Sequence, residues 1–234
     1  MITVEQATSI LHNNIYDFGI EEVPLQQSPG RILREDIYAD RDMPPFDRVS
    51  MDGIAILFKS FENGKRDFTI KSMAAAGSHQ QVLDDPDLCI EIMTGSIAPI
   101  DADTIIPYEW LRIEHGTATI VKENVLRGQN IHRKGMDRKK GDLLIPSGRY
   151  ISPAEIGVMA SVGKTNDSVS RQPKVMIIST GNELIEIDQT PLPHQVRMSN
   201  VHQLQSCFHQ LNISSDRAHL QDEYDAIVKA FSNN

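Results

Sequence analysis

The chain has 234 residues, of which 40% are hydrophobic and 24% charged, ordinary usage for a folded protein and far from the low-hydrophobicity signature of disorder. A formal net charge of −9 argues against general binding of nucleic acid. Two cysteines, Cys89 and Cys207, are too few for a disulfide framework and lack the paired spacing of a zinc site. The N-terminal MITVEQATSI has no secretion-signal pattern and no stretch reaches the roughly 18 apolar residues of a membrane span, so a cytoplasmic protein is expected.

Thr3 with Gln6 three positions on reads as a capping box ahead of the helical pattern Ala7, Ile10, Leu11, Ile15. From Glu21 to about Ser60, prolines 24, 29, 44 and 45 break the chain into short strands and turns, a connecting region. Between Asp67 and Val125 the runs FTIKSM, CIEIMT, DTIIPY, WLRIEH and TATIVKE, separated by turn residues, predict a small β module with a hairpin at His115-Gly116. Ser152-Pro153-Ala154-Glu155, stopped by Gly163, predicts a helix over 153–162. After Pro173 the order becomes strand KVMIIS, helix near 200–211, strand near 213–219 and a further helix, the opening of a parallel α/β sheet. Such sheets bind ligands beyond the carboxyl ends of their strands.

Four segments carry possible chemistry. In PPFDRVSMDGIAI, residues 44–56, Asp52 beside Gly53 can present a carboxylate to a metal, although Asp-Gly is also a common turn. In EIMTGSIAP, residues 91–99, Thr94-Gly95-Ser96 offers hydroxyls and N–H groups to an anion. GQNIHRKGMDRKKGD, residues 128–142, gathers Arg133, Lys134, Arg138, Lys139 and Lys140 around Asp137, a phosphate-binding loop or a solvated basic one. KVMIISTGNEL, residues 174–184, delivers Ser179, Thr180, Gly181 and Glu183 to a strand end. His202 and His209 lie about 10 Å apart along one helix and cannot share an ion, and Cys207 on that helix reads as core rather than nucleophile.

Taken together, PPFDRVSMDGIAI, EIMTGSIAP, GQNIHRKGMD, ISTGNELIE and MSN stand in the order and approximate spacing of MoeA proteins and the related E domain of gephyrin, a resemblance that runs from Gly30 to Asp222. It implies an α/β plus β multidomain fold: a linker and dimerisation region at 1–44 and 141–171, an inserted β-rich domain at 45–140, and the start of an α/β molybdopterin-binding domain at 172–234. It also implies insertion of molybdenum from molybdate into adenylylated molybdopterin with Mg²⁺, by a homodimer to which a molybdopterin-adenylylating protein can dock.

Carried over by position, Asp52, Asp137, Glu183 and Asp222 match catalytic residues, and Asp52, Glu183 and Asp222 would hold the metal. Ser50, Gly53, Thr94, Gly95, His132, Arg133, Ser179, Thr180, Gly181, Ser199 and Asn200 would contact the cofactor. In the family's dimer, Asp52, Thr94 and Asp137 come from one subunit and Glu183 and Asp222 from the other. His132 stands where arginine is common, Asn182 where aspartate precedes the glutamate, and Met198 where a polar residue is usual. The family's GGVS-type, PGKP and GLPGNP segments and its C-terminal β domain have no counterpart here, so the last domain is expected to be short of strands and of molybdate-binding groups. The alternative expectation is a non-catalytic dimerisation or scaffold module of the same family. A generic nucleotide-binding module ranks last, since no G-x-G-x-x-G or Walker A sequence is present.

Overall fold

The structure is a computed structural model that describes residues 2–224, 228 and 230. It is a mixed α/β fold made mostly of strands. The chain divides into two compact units, residues 38–144 and residues 1–37 with 145–234. The boundary expected at 171/172 falls inside the second of these.

Residues 38–144 are organised by a six-stranded mixed sheet. Its order is Thr104–Pro107, Gly53–Ile56, Leu88–Ile92, Asp67–Ala74, Thr117–Ile120, Leu111–Glu114. Only the pairing of Asp67–Ala74 with Leu88–Ile92 is parallel. Alternating side chains enter different clusters: Ala55, Ile90, Ile92 and Ile105 join Val49 and Ile131 in one, while Ile54, Ile56, Cys89 and Ile106 join Phe68 and Ala118 in the other. Both faces are therefore dry around the central strands, and each buried Ile or Phe stabilises the fold by roughly 1.5–3 kcal/mol. The hairpin forms at His115-Gly116, both with positive φ (49° and 78°), the pair of left-handed residues that a tight two-residue turn requires.

The expected connecting region needs correcting at its end. Gly53–Ile56 is a fully buried central strand, not a link. A strand covered on both faces reads as a continuous apolar run, so GIAI carries none of the alternation by which strands are recognised.

In the other unit, α1 (Val4–Asn13) has both hydrogen bonds of the Thr3–Gln6 capping box, yet buries no residue. Ile20–Pro24 pairs antiparallel with Asn166–Ser170. A short helix α2 (Phe58–Glu62) belongs to the sheet-bearing unit, and α3 (Pro153–Ser161) starts at the expected Ser152–Glu155 capping box. There Ser152's hydroxyl, then its N–H, and Arg149 pull the Glu155 pKa down to about 2.

Val175–Thr180 and Ser215–Leu220 form a two-stranded parallel pair, with α4 (Asn200–Gln210) between them in sequence. Cys207 is exposed rather than core, because α4 buries only Val201. The helix expected after the second parallel strand lies largely outside the described residues.

Candidate functional site

The first cluster follows from strand register. Gly53 pairs with Ile92, so Asp52, one residue before its strand, meets the residues that leave the neighbouring strand at Thr94. Both the N–H and the hydroxyl of Thr94 donate to Asp52 Oδ1, at 2.6 and 2.7 Å. Those bonds, the backbone one foremost, hold the Asp52 carboxyl below its ordinary pKa, since donors to the charged form favour ionisation. Asp52 Oδ2 accepts no hydrogen bond among the described residues. Gly53 is required by close approach, since a Cβ there would lie 1.9 Å from the Ile106 carbonyl oxygen. The Tyr108 N–H donates to the Asp52 carbonyl at 3.1 Å, and the Tyr108 hydroxyl donates to Glu91 at 2.5 Å. Burial, and then Glu91 itself, push that hydroxyl's pKa upward.

The Thr94-Gly95-Ser96 loop differs from expectation in one respect. Its three N–H groups are all spent internally, on Asp52, on the Val49 carbonyl and on the Met93 carbonyl. The turn therefore positions Asp52 instead of gripping an anion with its backbone. Ser50 lies beside it, its N–H donating to Asn130, and His132 pairs in register with Arg48.

The basic segment is likewise more constrained than its charges suggest. His132 Nε2 lies 2.8 Å from Asp137 Oδ1, so these two expected site residues are together. Arg133, however, donates to Asp47 Oδ2 at 2.5 Å, and the Lys134 N–H donates to Asp47 Oδ1 at 2.8 Å. Burial alone would raise the Asp47 pKa, but the Lys134 N–H and Arg133 outweigh it and the net shift is downward. Arg133 is thus an internal strut for the 42–47 segment, its charge already neutralised. Sequence could not reveal this, because Asp47 is 86 positions away along the chain.

The second cluster sits at the carboxyl end of the parallel strands. A cavity of about 390 Å³ there is lined by Ser179, Thr180, Leu184, Met198, Ser199 and Asn200, among others. Gly181 lines no wall but permits the turn. Its φ is +136°, and a Cβ would meet the Glu183 carboxylate at 2.5 Å, so Glu183 folds back over it. Asn182 Oδ1 accepts the Asp222 N–H at 3.2 Å, tying the two strand ends together. Ser199 precedes α4 without capping it by side chain.

Residues not singled out in the sequence also stand here: His219, whose Nδ1 is 3.2 Å from Ser179 Oγ, and Arg217 with Glu186, paired at 3.1 Å. The available signal was positional, since Arg217 and His219 pair in register with Ile177 and Ser179. Asp52 belongs to one unit and Glu183 and Asp222 to the other. Among the described residues no three His, Cys, Asp or Glu side chains gather as a metal group.

Comparison with known proteins identifies the family. Residues 2–163 match the family model "MoeA N-terminal region (domain I and II)". A molybdopterin molybdenumtransferase from Synechocystis is 35% identical over 99% of this chain and 60% of its own length. One from Haemophilus influenzae is 32% identical over 86% of this chain and 50% of its own. A crystal structure of molybdopterin biosynthesis MoeA protein from Pyrococcus horikoshii OT3 superposes with a TM-score of 0.88 at 27% identity, covering 100% of this chain and 63% of that one. The chain thus spans between half and two thirds of the length of these relatives.

Proposed function

This chain belongs to the MoeA family, and from that premise we propose that it works in molybdenum cofactor biosynthesis, as part of a transferase that inserts molybdenum from molybdate into adenylylated molybdopterin. The observation that carries the reading is the Asp52–Thr94 corner. An ionised carboxylate held through one oxygen by two donors, its second oxygen accepting no hydrogen bond among the described residues, is an acceptor fixed in place before any ligand arrives, the preorganisation that catalysis by electrostatics needs.

The donor chemistry fits Mg²⁺. That ion takes oxygen ligands and is commonly held by one or two carboxylates together with substrate phosphates, and Asp52 supplies one such carboxylate. Glu183 and Asp222 would supply further ones, and the bound ion would neutralise charge on the phosphate oxygens. Thr94 keeps Asp52 ionised and aimed. His132 and Asp137 restrain each other, and Ser179, Thr180, Ser199 and Asn200 offer hydroxyl and amide groups to the ligand's polar atoms across the strand-end cavity.

We further propose a cytoplasmic homodimer in which Asp52, Thr94 and Asp137 of one subunit serve with Glu183 and Asp222 of the other. The state of α1 supports association: Val4, Ile10 and Leu11 are 78, 53 and 71% exposed, an apolar surface of the kind that marks interfaces. Docking of a molybdopterin-adenylylating protein belongs to the same proposal.

Calorimetric titration with adenylylated molybdopterin and Mg²⁺ tests it. Saturable binding by the unaltered chain is expected, weakened about tenfold or more in Asp52→Ala, as removal of a charged contact implies. Absence of binding by both proteins would leave the scaffold reading in front.

A further inference from the structure

Beside the strand-end cavity lies a second, smaller one of about 230 Å³, shared by Ser179, Glu186, Met198, Val201, Arg217 and His219. None of the five motifs quoted above runs through Arg217 or His219. Arg217 Nη1 is 3.1 Å from Glu186 Oε2 and 3.4 Å from His202 Nε2. Because a guanidinium has donors only, His202 Nε2 must act as the acceptor in that contact. Five guanidinium N–H groups and about four carboxylate lone pairs leave both partners with unused capacity after these bonds. The pair is half-exposed, 39% for Arg217 and 44% for Glu186. Met198 and Val201, each 5% exposed, supply an apolar wall.

A guanidinium beside a carboxylate presents donors next to acceptors. The complementary ligand edge has an acceptor followed by two donors, which is the order O4, N3–H, 2-amino in a 2-amino-4-oxopyrimidine. The apolar wall suits the face of such a ring, as flat heterocycles favour apolar contact with a few placed polar groups. An anion is a poorer match, since Glu186 already offsets the charge of Arg217.

We propose that Arg217 and Glu186 form a recognition pocket for a 2-amino-4-oxopyrimidine edge, Arg217 donating to O4 and Glu186 accepting from N3–H and the 2-amino group, with Ser179 and His219 closing the side. The inference rests on the pterin-ligand reading above and gives its ring a seat next to the strand-end cavity. Pterin and guanine share this edge, and pterin is the ligand that reading favours.

Fluorescence titration of the full chain with pterin, with lumazine, which carries oxo in place of the 2-amino group, and with guanosine separates the cases. Pterin is expected to bind about tenfold or more tightly than lumazine, the scale of one lost hydrogen bond at a charged acceptor. Glu186→Gln should collapse that ratio, and Arg217→Met should weaken pterin itself. The ratio is taken within one sample, so a variant that folds only in part still gives a valid answer. Equal affinity for pterin and lumazine, or a ratio unmoved by Glu186→Gln, would overturn the pocket while leaving the pterin-ligand reading intact. Binding of guanosine in preference to pterin, or of none of the three, would overturn both.

Discussion

The two parts of the chain that carry expected site residues are built to different depths. Around Asp52 and Thr94 the strands are sealed on both faces, with Ile54, Ala55, Ile56, Phe68, Ile90, Ile92, Ile105 and Ile106 all at 0% exposure. Around Glu183 the parallel pair and α4 together bury only two hydrophobic side chains among the described residues, Ile177 and Val201, with Met198 buried just ahead of α4, while Met176, Leu204 and Leu211 are 42, 48 and 62% exposed. The first region fixes its carboxylate by register and packing. The second brings Ser179, Glu186, Arg217 and His219 around one cavity on a scaffold with little apolar burial. Local stability follows buried contact, so the second region is the one whose order a ligand can still increase.

Substitutions sharpen that contrast. Phe68→Ala, in the sealed sheet, is expected to cost about 3–5 kcal/mol, whereas Leu204→Ala on α4 should stay within about 0.5 kcal/mol; urea unfolding midpoints of the two variants give the comparison. Equal costs would break it. Gly53→Ala should cost about 1–3 kcal/mol by overpacking, because the added methyl meets the Ile106 carbonyl, and the same titration reads it.

The smallest effect is a pH dependence at α3. The Glu155 pKa is depressed from 4.5 to about 2. A depressed acid stabilises the fold above its unfolded value and loses that contribution as pH falls through the folded one. Thermal melts between pH 5 and pH 2 should therefore show a steeper loss for the unaltered chain than for Glu155→Gln. Parallel curves would remove Glu155 from the account.

Much of this architecture was legible because local chemistry announces it. Thr3–Gln6 and Ser152–Glu155 state their caps outright, His115-Gly116 states its turn, and alternation marks the strands flanking it. Gly53–Ile56 was not legible as a strand, since burial on both faces erases alternation. The family was legible from collinear motifs, each weak alone. What those motifs could not convey is how their groups are spent: the N–H groups of residues 94–96 turn inward, and Arg133 is neutralised by Asp47 from far along the chain. Nor could they point to Arg217 and His219, whose significance arises only when the parallel register sets them beside Ile177 and Ser179. Cys207 was misread because a helix in a thin layer has more exposed face than its sequence pattern suggests.

Amide hydrogen exchange with and without adenylylated molybdopterin and Mg²⁺ tests the central claim most directly, that the ligand seats on the thinly packed strand ends. Without ligand, Val175–Thr180 and Ser215–Leu220 should exchange faster than Gly53–Ile56 and Leu88–Ile92. Ligand should slow the first pair and leave the second unchanged. Uniformly slow exchange before addition, or ligand protection that never reaches residues 175–220, would contradict it.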